Sequence, residues 1–151
     1  MFRGANKVTL DAKGRMAMPA RYRDTLVERS EGRLVATVDR ADRCLLIYPL
    51  PDWEEIERKL MRLPSLNPQA RRLQRLMVGH ATDLELDSHG RVLVPPKLRE
   101  YAGLTRQATL IGQGNRFELW DEQHWNARRE AWLQAGEETG ELSPELEQLS
   151  L

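Results

Sequence analysis

A chain of 151 residues, 40% hydrophobic and with ten glycines, suits one medium domain or two intimate small ones, and its composition is neither fibrous nor disordered. No run approaches the ~18 apolar residues that span a bilayer, and residues 1–10, MFRGANKVTL, lack the apolar core of a signal peptide. The 23 basic and 23 acidic side chains cancel, which argues against a uniformly basic surface. The cancellation hides a division, because residues 1–76 carry a surplus of six positive charges and residues 77–151 the same surplus of negative ones. Residues 1–30 hold seven basic against three acidic groups, whereas residues 118–151 hold two arginines against nine acids. Such asymmetry points to a basic binding face and an acidic tail. The lone Cys44 lies in the apolar run Cys44-Leu45-Leu46-Ile47-Tyr48, as expected of a buried thiol in a reducing, cytoplasmic protein.

In chain order, residues 8–11 predict a short strand, Ala12-Lys13-Gly14 a turn, and residues 15–18 a return strand. Glycine suits the left-handed position of a three-residue hairpin loop. Pro19 then opens a helix over 20–28, because proline costs nothing at a first helical turn. Strands follow at 34–38 and 44–48, bracketed by Gly32 and Asp39-Arg40-Ala41-Asp42. Pro51 opens an amphipathic helix from 52 to about 63, with Trp53, Ile56 and Leu60 at core-facing spacing. After a turn at 63–68, Asn67 caps and Pro68 begins a helix through 78, with Ala70, Leu73 and Met77 along one stripe and a basic remainder. The rest reads as strand, a turn at Ser88-His89-Gly90, strand, a helix from Pro95 or Pro96 ending at Gly103, and strands around 109–111 and 117–120. A helix from about 121 to 135 follows. The acidic end is expected to be partly disordered, with a short helix starting at Ser143-Pro144-Glu145.

The order repeats because the chain is a duplication. LDAKGRMAMPARYR at 10–23 aligns with LDSHGRVLVPPKLR at 86–99 at a constant offset of 76. Leu46-Ile47-Tyr48 leading to Trp53 is echoed by Glu118-Leu119-Trp120 leading to Trp125 at an offset of 72, so the second copy is expected to lack four residues in an intervening loop. The division is 1–53 for the first copy (core 5–53), 54–80 for connecting helices, 81–125 for the second copy, and 126–151 for a terminal helix and acidic tail. Strands of four or five residues bury no core alone, so the copies pack on each other as one pseudo-symmetric α+β unit. Unpaired strand edges invite further copies of the chain.

Function is carried by Asp11-x-x-x-Arg15 and Asp87-x-x-x-Arg91. Across a hairpin such a pair forms an ion pair, and the aspartate can also bond the turn's backbone N–H groups. Three facts add a binding role. Arg3, Lys7, Lys13, Arg21 and Arg23 are close in sequence to Arg15, predicting a concentration of charge at one end of the unit; the motif occurs twice; and a two-stranded ribbon tipped with arginine fits a major groove. Enzymatic signatures are missing. His80, His89 and His124 lack metal-ligand spacing with each other or with Cys44, Gly112-Gln113-Gly114 has Phe117 where a dinucleotide fingerprint needs glycine, and the four tryptophans suit packing more than base stacking. No catalytic residue, metal, cofactor, small-molecule substrate or membrane partner is expected. An oligomeric adaptor binding RNA or protein through the basic helix 68–78 is the rival expectation.

The start Met1-Phe2-Arg3-Gly4, the Leu-Asp-Ala-Lys-Gly-Arg block, residues 46–53, Arg71-Arg72 to Gly79-His80-Ala81, and residues 117–121 together resemble the MraZ family from Met1 to about Trp125. The resemblance implies two repeats of the swapped-hairpin AbrB fold, short antiparallel strands with peripheral helices. It also implies a ring-shaped homo-oligomer on the nucleoid, binding short direct repeats in double-stranded DNA upstream of a division and cell-wall gene cluster, usually as a repressor. It carries DNA binding onto Asp11, Arg15, Asp87 and Arg91; charge and proximity extend the set to Arg3, Lys13, Arg21 and Lys97. The second copy has Ser88-His89 where the first has Ala12-Lys13 and lacks neighbouring basic residues, which argues against an equal DNA-reading role for the second motif.

Overall fold

The computed structural model describes residues 1–135 and 143–151. Its elements run β1 (Phe2–Thr9), β2 (Arg15–Ala17), α1 (Ala20–Ser30), β3 (Arg33–Val38), β4 (Leu45–Pro49), α2 (Leu50–Met61) and α3 (Pro68–Met77). After them come β5 (Thr82–Glu85), β6 (Arg91–Leu93), α4 (Pro96–Ala102), β7 (Gln107–Gly114), β8 (Phe117–Asp121), α5 (Glu122–Ala135) and α6 (Pro144–Glu147). None of the described helices is long and apolar enough to cross a membrane.

Every pairing is antiparallel, in a six-stranded sheet ordered β1-β7-β8-β4-β3-β5 and a two-stranded ribbon β2-β6. That order is a pseudo-twofold. Replacing each strand by its equivalent in the other copy reverses the list, and the axis passes between the repeat-equivalent partners Met16↔Val92 and Leu46↔Glu118. The copies exchange strands: β1 of the first pairs with β7 of the second, and β5 of the second with β3 of the first.

Two expectations change here. Residues 8–11 and 15–18 do not form a regular hairpin. The turn closes through the Asp11 N–H donating to the Arg15 carbonyl, but the ladder stops at the single bridge Leu10↔Met16. Beyond it the strands part, because β1 finds eight partners in β7 and β2 finds its own in β6. The first strand also reaches back to Phe2, six residues beyond expectation. Only Phe2 and Val8 of it are buried, so side-chain periodicity is silent and backbone pairing decides. The four residues missing from the second copy do not come from one loop either. Leu34 pairs with Leu84 as Ala108 pairs with Val8, an offset of 74 for Leu34 and Ala108, so half the difference precedes these strands and half follows them.

The main core lies between one sheet face and the ribbon with its flanking helices. Leu34, Ala36, Ile47, Leu110, Phe117 and Leu119 meet Met16, Met18, Leu26, Val92, Val94 and Leu98, all nearly free of solvent contact. The opposite sheet face carries Val35, Leu46 and Tyr48 under α2 and α3, and Cys44, Ile111 and Trp120 under Trp125 of α5. Trp53 and Leu60 are buried and Ile56 packs beside them, as the helical spacing predicts. The Asn67 side chain caps α3 by accepting from the Gln69 and Ala70 N–H groups, and Ser143 caps α6. Arg29 on α1 forks onto the buried Asp52 at 2.9 and 2.6 Å, locking α1 to α2. Of the acidic end expected to be partly disordered, residues 136–142 lie outside the described residues, and residues 143–151 carry the short helix α6.

Candidate nucleic-acid interface

Each turn is built around its aspartate. Asp11 Oδ1 accepts the Lys13 and Arg15 N–H groups at 2.9 Å each, and Oδ2 accepts Arg15 Nε at 2.7 Å. Asp87 repeats the set with His89 N–H at 2.8 Å, Arg91 N–H at 2.9 Å and Arg91 Nε at 3.1 Å. Gly14 and Gly90 take φ of +89° and +73°, the left-handed conformation that closes each turn. Ion pair and turn cap are thus one arrangement. Nε is held by the carboxylate, and among the described residues the two terminal nitrogens of each guanidinium donate to no protein acceptor.

Ribbon register then brings the two motifs together. Arg15 faces Leu93 and Ala17 faces Arg91, while Met16 and Val92 between them point into the core. Partners across an antiparallel pair share a face. Arg15, Ala17, Arg91 and Leu93 therefore form one outer face, with the arginines as diagonal neighbours about 7–8 Å apart at Cα. Both arginine side chains are 34% exposed and both aspartates 38%, so the two sites are geometrically equivalent.

The remaining candidates divide. Lys13 is exposed in the first turn, and Lys97 is exposed in the first turn of α4 at the position equivalent to Arg21. Arg3 and Arg21 are not beside Arg15, which corrects the expected concentration of charge. Six steps of extended strand from Arg3 to Thr9 span roughly 20 Å, and Arg21 bonds Asn6 Oδ1 at 2.7 Å and the Arg3 carbonyl at 3.3 Å. Lys7 lies along the same strand, near Glu122 at 3.8 Å. Two arginines that the motif did not single out stand at the turns instead. Arg99 Nε donates to the Val94 carbonyl at 2.9 Å beside Gly14, and Arg23 Nε to the Met18 carbonyl at 2.6 Å beside Gly90. In the sequence both occupy the last position of the repeated block, and Arg23 is also one of the basic residues close to Arg15.

The turn carboxylates are strongly acidic. Chiefly the Arg15 N–H, and with it the Arg15 guanidinium and the Lys13 N–H, hold Asp11 down at about 2 against a usual 3.8. Asp87 is lowered the same way, first by the Arg91 N–H. A folded-state pKa below the unfolded one gives stabilisation that is complete above about pH 4 and lost as pH falls towards 2. In an NMR titration the amides of Lys13 and Arg15 should therefore move only below pH 4. Movement centred at or above 3.8 would show that Asp11 does not cap its turn.

Elsewhere, Asp39, Cys44 and Glu118 gather within 4.8 Å of one another, the one such potential ligand set among the described residues. Burial pushes the Cys44 thiol and the Glu118 carboxyl up, favouring their neutral forms, and the Trp120 indole N–H donates to Glu118 at 2.9 Å. This is a hydrogen-bonded polar pocket under α5, consistent with the buried thiol expected for Cys44. His89 is exposed in its turn, whereas His124 is half-buried with its ring 5.2 Å from Trp120. Trp120, Trp125 and Trp132 pack edge to face on one another, as packing aromatics do.

The family model described as "MraZ protein, putative antitoxin-like" matches residues 1–76 and again 77–140. Proteins named "Transcriptional regulator MraZ" are similar over the whole of both chains. The one from Halorhodospira halophila is 60% identical, that from Thioalkalivibrio sulfidiphilus 61%, and that from Pseudomonas aeruginosa 60%.

Proposed function

Because the chain belongs to the MraZ family, we propose that it is a DNA-binding transcriptional regulator whose β2–β6 ribbon enters the major groove. Its relatives are named as regulators and not as catalysts, and the chain is not an enzyme. One observation carries the proposal: Arg15 and Arg91 share one ribbon face, each with Nε pinned by an aspartate and two terminal nitrogens left for an acceptor pair. Two parallel N–H donors of this kind match guanine O6 and N7 bidentately. Asp11 and Asp87 orient, Lys13 neutralises phosphate at the tip, and Arg3, Arg21 and Lys97 contact phosphates beyond it. The strand exchange and pseudo-twofold support a swapped-hairpin, AbrB-like arrangement of the two repeats.

In the fuller proposal, copies of the chain form a ring through their free sheet edges, β1 and β5. The ring sits on the nucleoid in the cytoplasm and meets short direct repeats upstream of the chain's own division and cell-wall gene cluster, acting as a repressor. Several weak ribbon tips on successive repeats gain by effective concentration without new contacts. The test is binding to duplex DNA from upstream of the gene, against a shuffled duplex, at two salt concentrations. Affinity should be higher for the genomic duplex and fall steeply with salt, about 1000-fold between 50 and 200 mM if six phosphates are neutralised. Equal affinity for both duplexes would remove sequence specificity. Binding to RNA or protein that is lost on replacing the exposed Arg71, Arg72 and Arg75 of α3, with no DNA binding, would favour the adaptor.

A further inference from the structure

We infer that Arg99 and Arg23 are crossed positioning residues, each holding in place the turn and motif arginine of the other sequence copy; their bearing on DNA rests on the function proposed above. The chain of contacts is short. Val94 donates its N–H to the Gly14 carbonyl at 2.9 Å, and its own carbonyl accepts Arg99 Nε at 2.9 Å. Gly14 donates to the Asp11 carbonyl at 2.9 Å, and the Asp11 side chain holds Arg15. Arg99 also lies against Gly14 itself, since a Cβ there would stand 2.5 Å from its Nε and 2.7 Å from its Cζ.

The twofold repeats this with the copies interchanged. Met18 donates to the Gly90 carbonyl at 3.0 Å and accepts Arg23 Nε at 2.6 Å, and a Cβ on Gly90 would stand 2.6 Å from Arg23 Nε. Each turn therefore consists of a loop from one copy and a guanidinium from the other. Each brace is anchored on a helix whose neighbouring side chain, Leu98 or Tyr22, is buried. The two glycines serve a second end besides their positive φ, because only a missing side chain lets the guanidinium lie on the loop. The second turn, poor in basic neighbours by sequence, gains one from Arg23. A crossed brace also ties both arginines to the ribbon register, so neither turn keeps its aim if the copies separate.

The test reads the turns without DNA first. In the full-length protein, Arg99→Ala should shift the Arg15 Nε–H and Gly14 amide NMR signals and leave those of Arg91 and Gly90 in place. Arg23→Ala should do the reverse. Arg99→Lys keeps a donor for the Val94 carbonyl and should restore much of the Arg15 signal, which loss of α4 stability would not predict. On DNA, Arg99→Ala added to Arg15→Ala should cost little further affinity, whereas Arg23→Ala added to Arg15→Ala should cost about ten-fold more, as for independent sites. Equal perturbation of both turns by either variant, or of neither, overturns the crossed assignment whatever happens on DNA. A crossed NMR pattern alongside DNA binding that ignores Arg15 overturns the DNA function and the positioning role with it.

Discussion

The double variant Arg15→Ala/Arg91→Ala is expected to lose specific DNA binding while keeping the fold and assembly of the parent. In the proposed interface each guanidinium makes one bidentate contact, for which about 1–3 kcal/mol of base discrimination is usual. Each single variant should therefore weaken binding by roughly 5- to 150-fold. An assembly that engages several tips at once multiplies these losses. The structural cost is small. Both side chains are one-third exposed, and Asp11 and Asp87 still accept two backbone N–H groups each when the guanidinium is gone. Fluorescence anisotropy on the operator duplex reads the affinity, with circular dichroism and elution volume as controls. A single Arg15→Ala as severe as the double would make the second site silent, despite its matching geometry. A double variant that binds like the parent would sink the ribbon as the interface.

Phe117→Ala should be the most destabilising single change, and it should lower one transition, not two. Phe117 is fully buried, stacks on Phe2 with ring centroids 4.3 Å apart and meets the edge of Tyr22 at 5.0 Å. It thereby joins β8 of the second copy to β1 and α1 of the first. Removing a buried phenyl ring costs about 3–5 kcal/mol, a large part of a domain's stability. At 2–4 °C per kcal/mol for a chain of this size, the melting temperature should drop by roughly 6–20 °C. Because the copies exchange strands on both sides of the sheet, neither keeps its core when the other opens. Differential scanning calorimetry distinguishes the cases. Two separate transitions, or a loss under about 1 kcal/mol, would contradict the shared core.

The duplication, the two turns and most helix starts were legible in the residues because their causes are local. Gly14 and Gly90 close loops that require a left-handed residue, Asn67 and Pro68 supply a cap and a preset φ, and Trp53, Ile56 and Leu60 mark a buried stripe. The Asp–Arg spacing likewise encodes its own contact, since both partners lie on one tight turn. Similarity to the MraZ family was visible in contiguous blocks for the same reason, and the family model and relatives bear it out.

Tertiary structure alone decided which strands meet. Alternation along a strand tells which side chains face a core, but backbone N–H and C=O groups are the same at every residue and name no partner. That is why the residues give no sign of β1 over 2–7, and why residues 8–18 read as an ordinary hairpin although β2 pairs with β6. The proximity of Arg15 to Arg91, and of Arg99 to Gly14, joins residues more than seventy positions apart. Such contacts exist only once the two copies have closed around one core, and the same closure carries Arg3 and Arg21 away from the turn they adjoin in sequence.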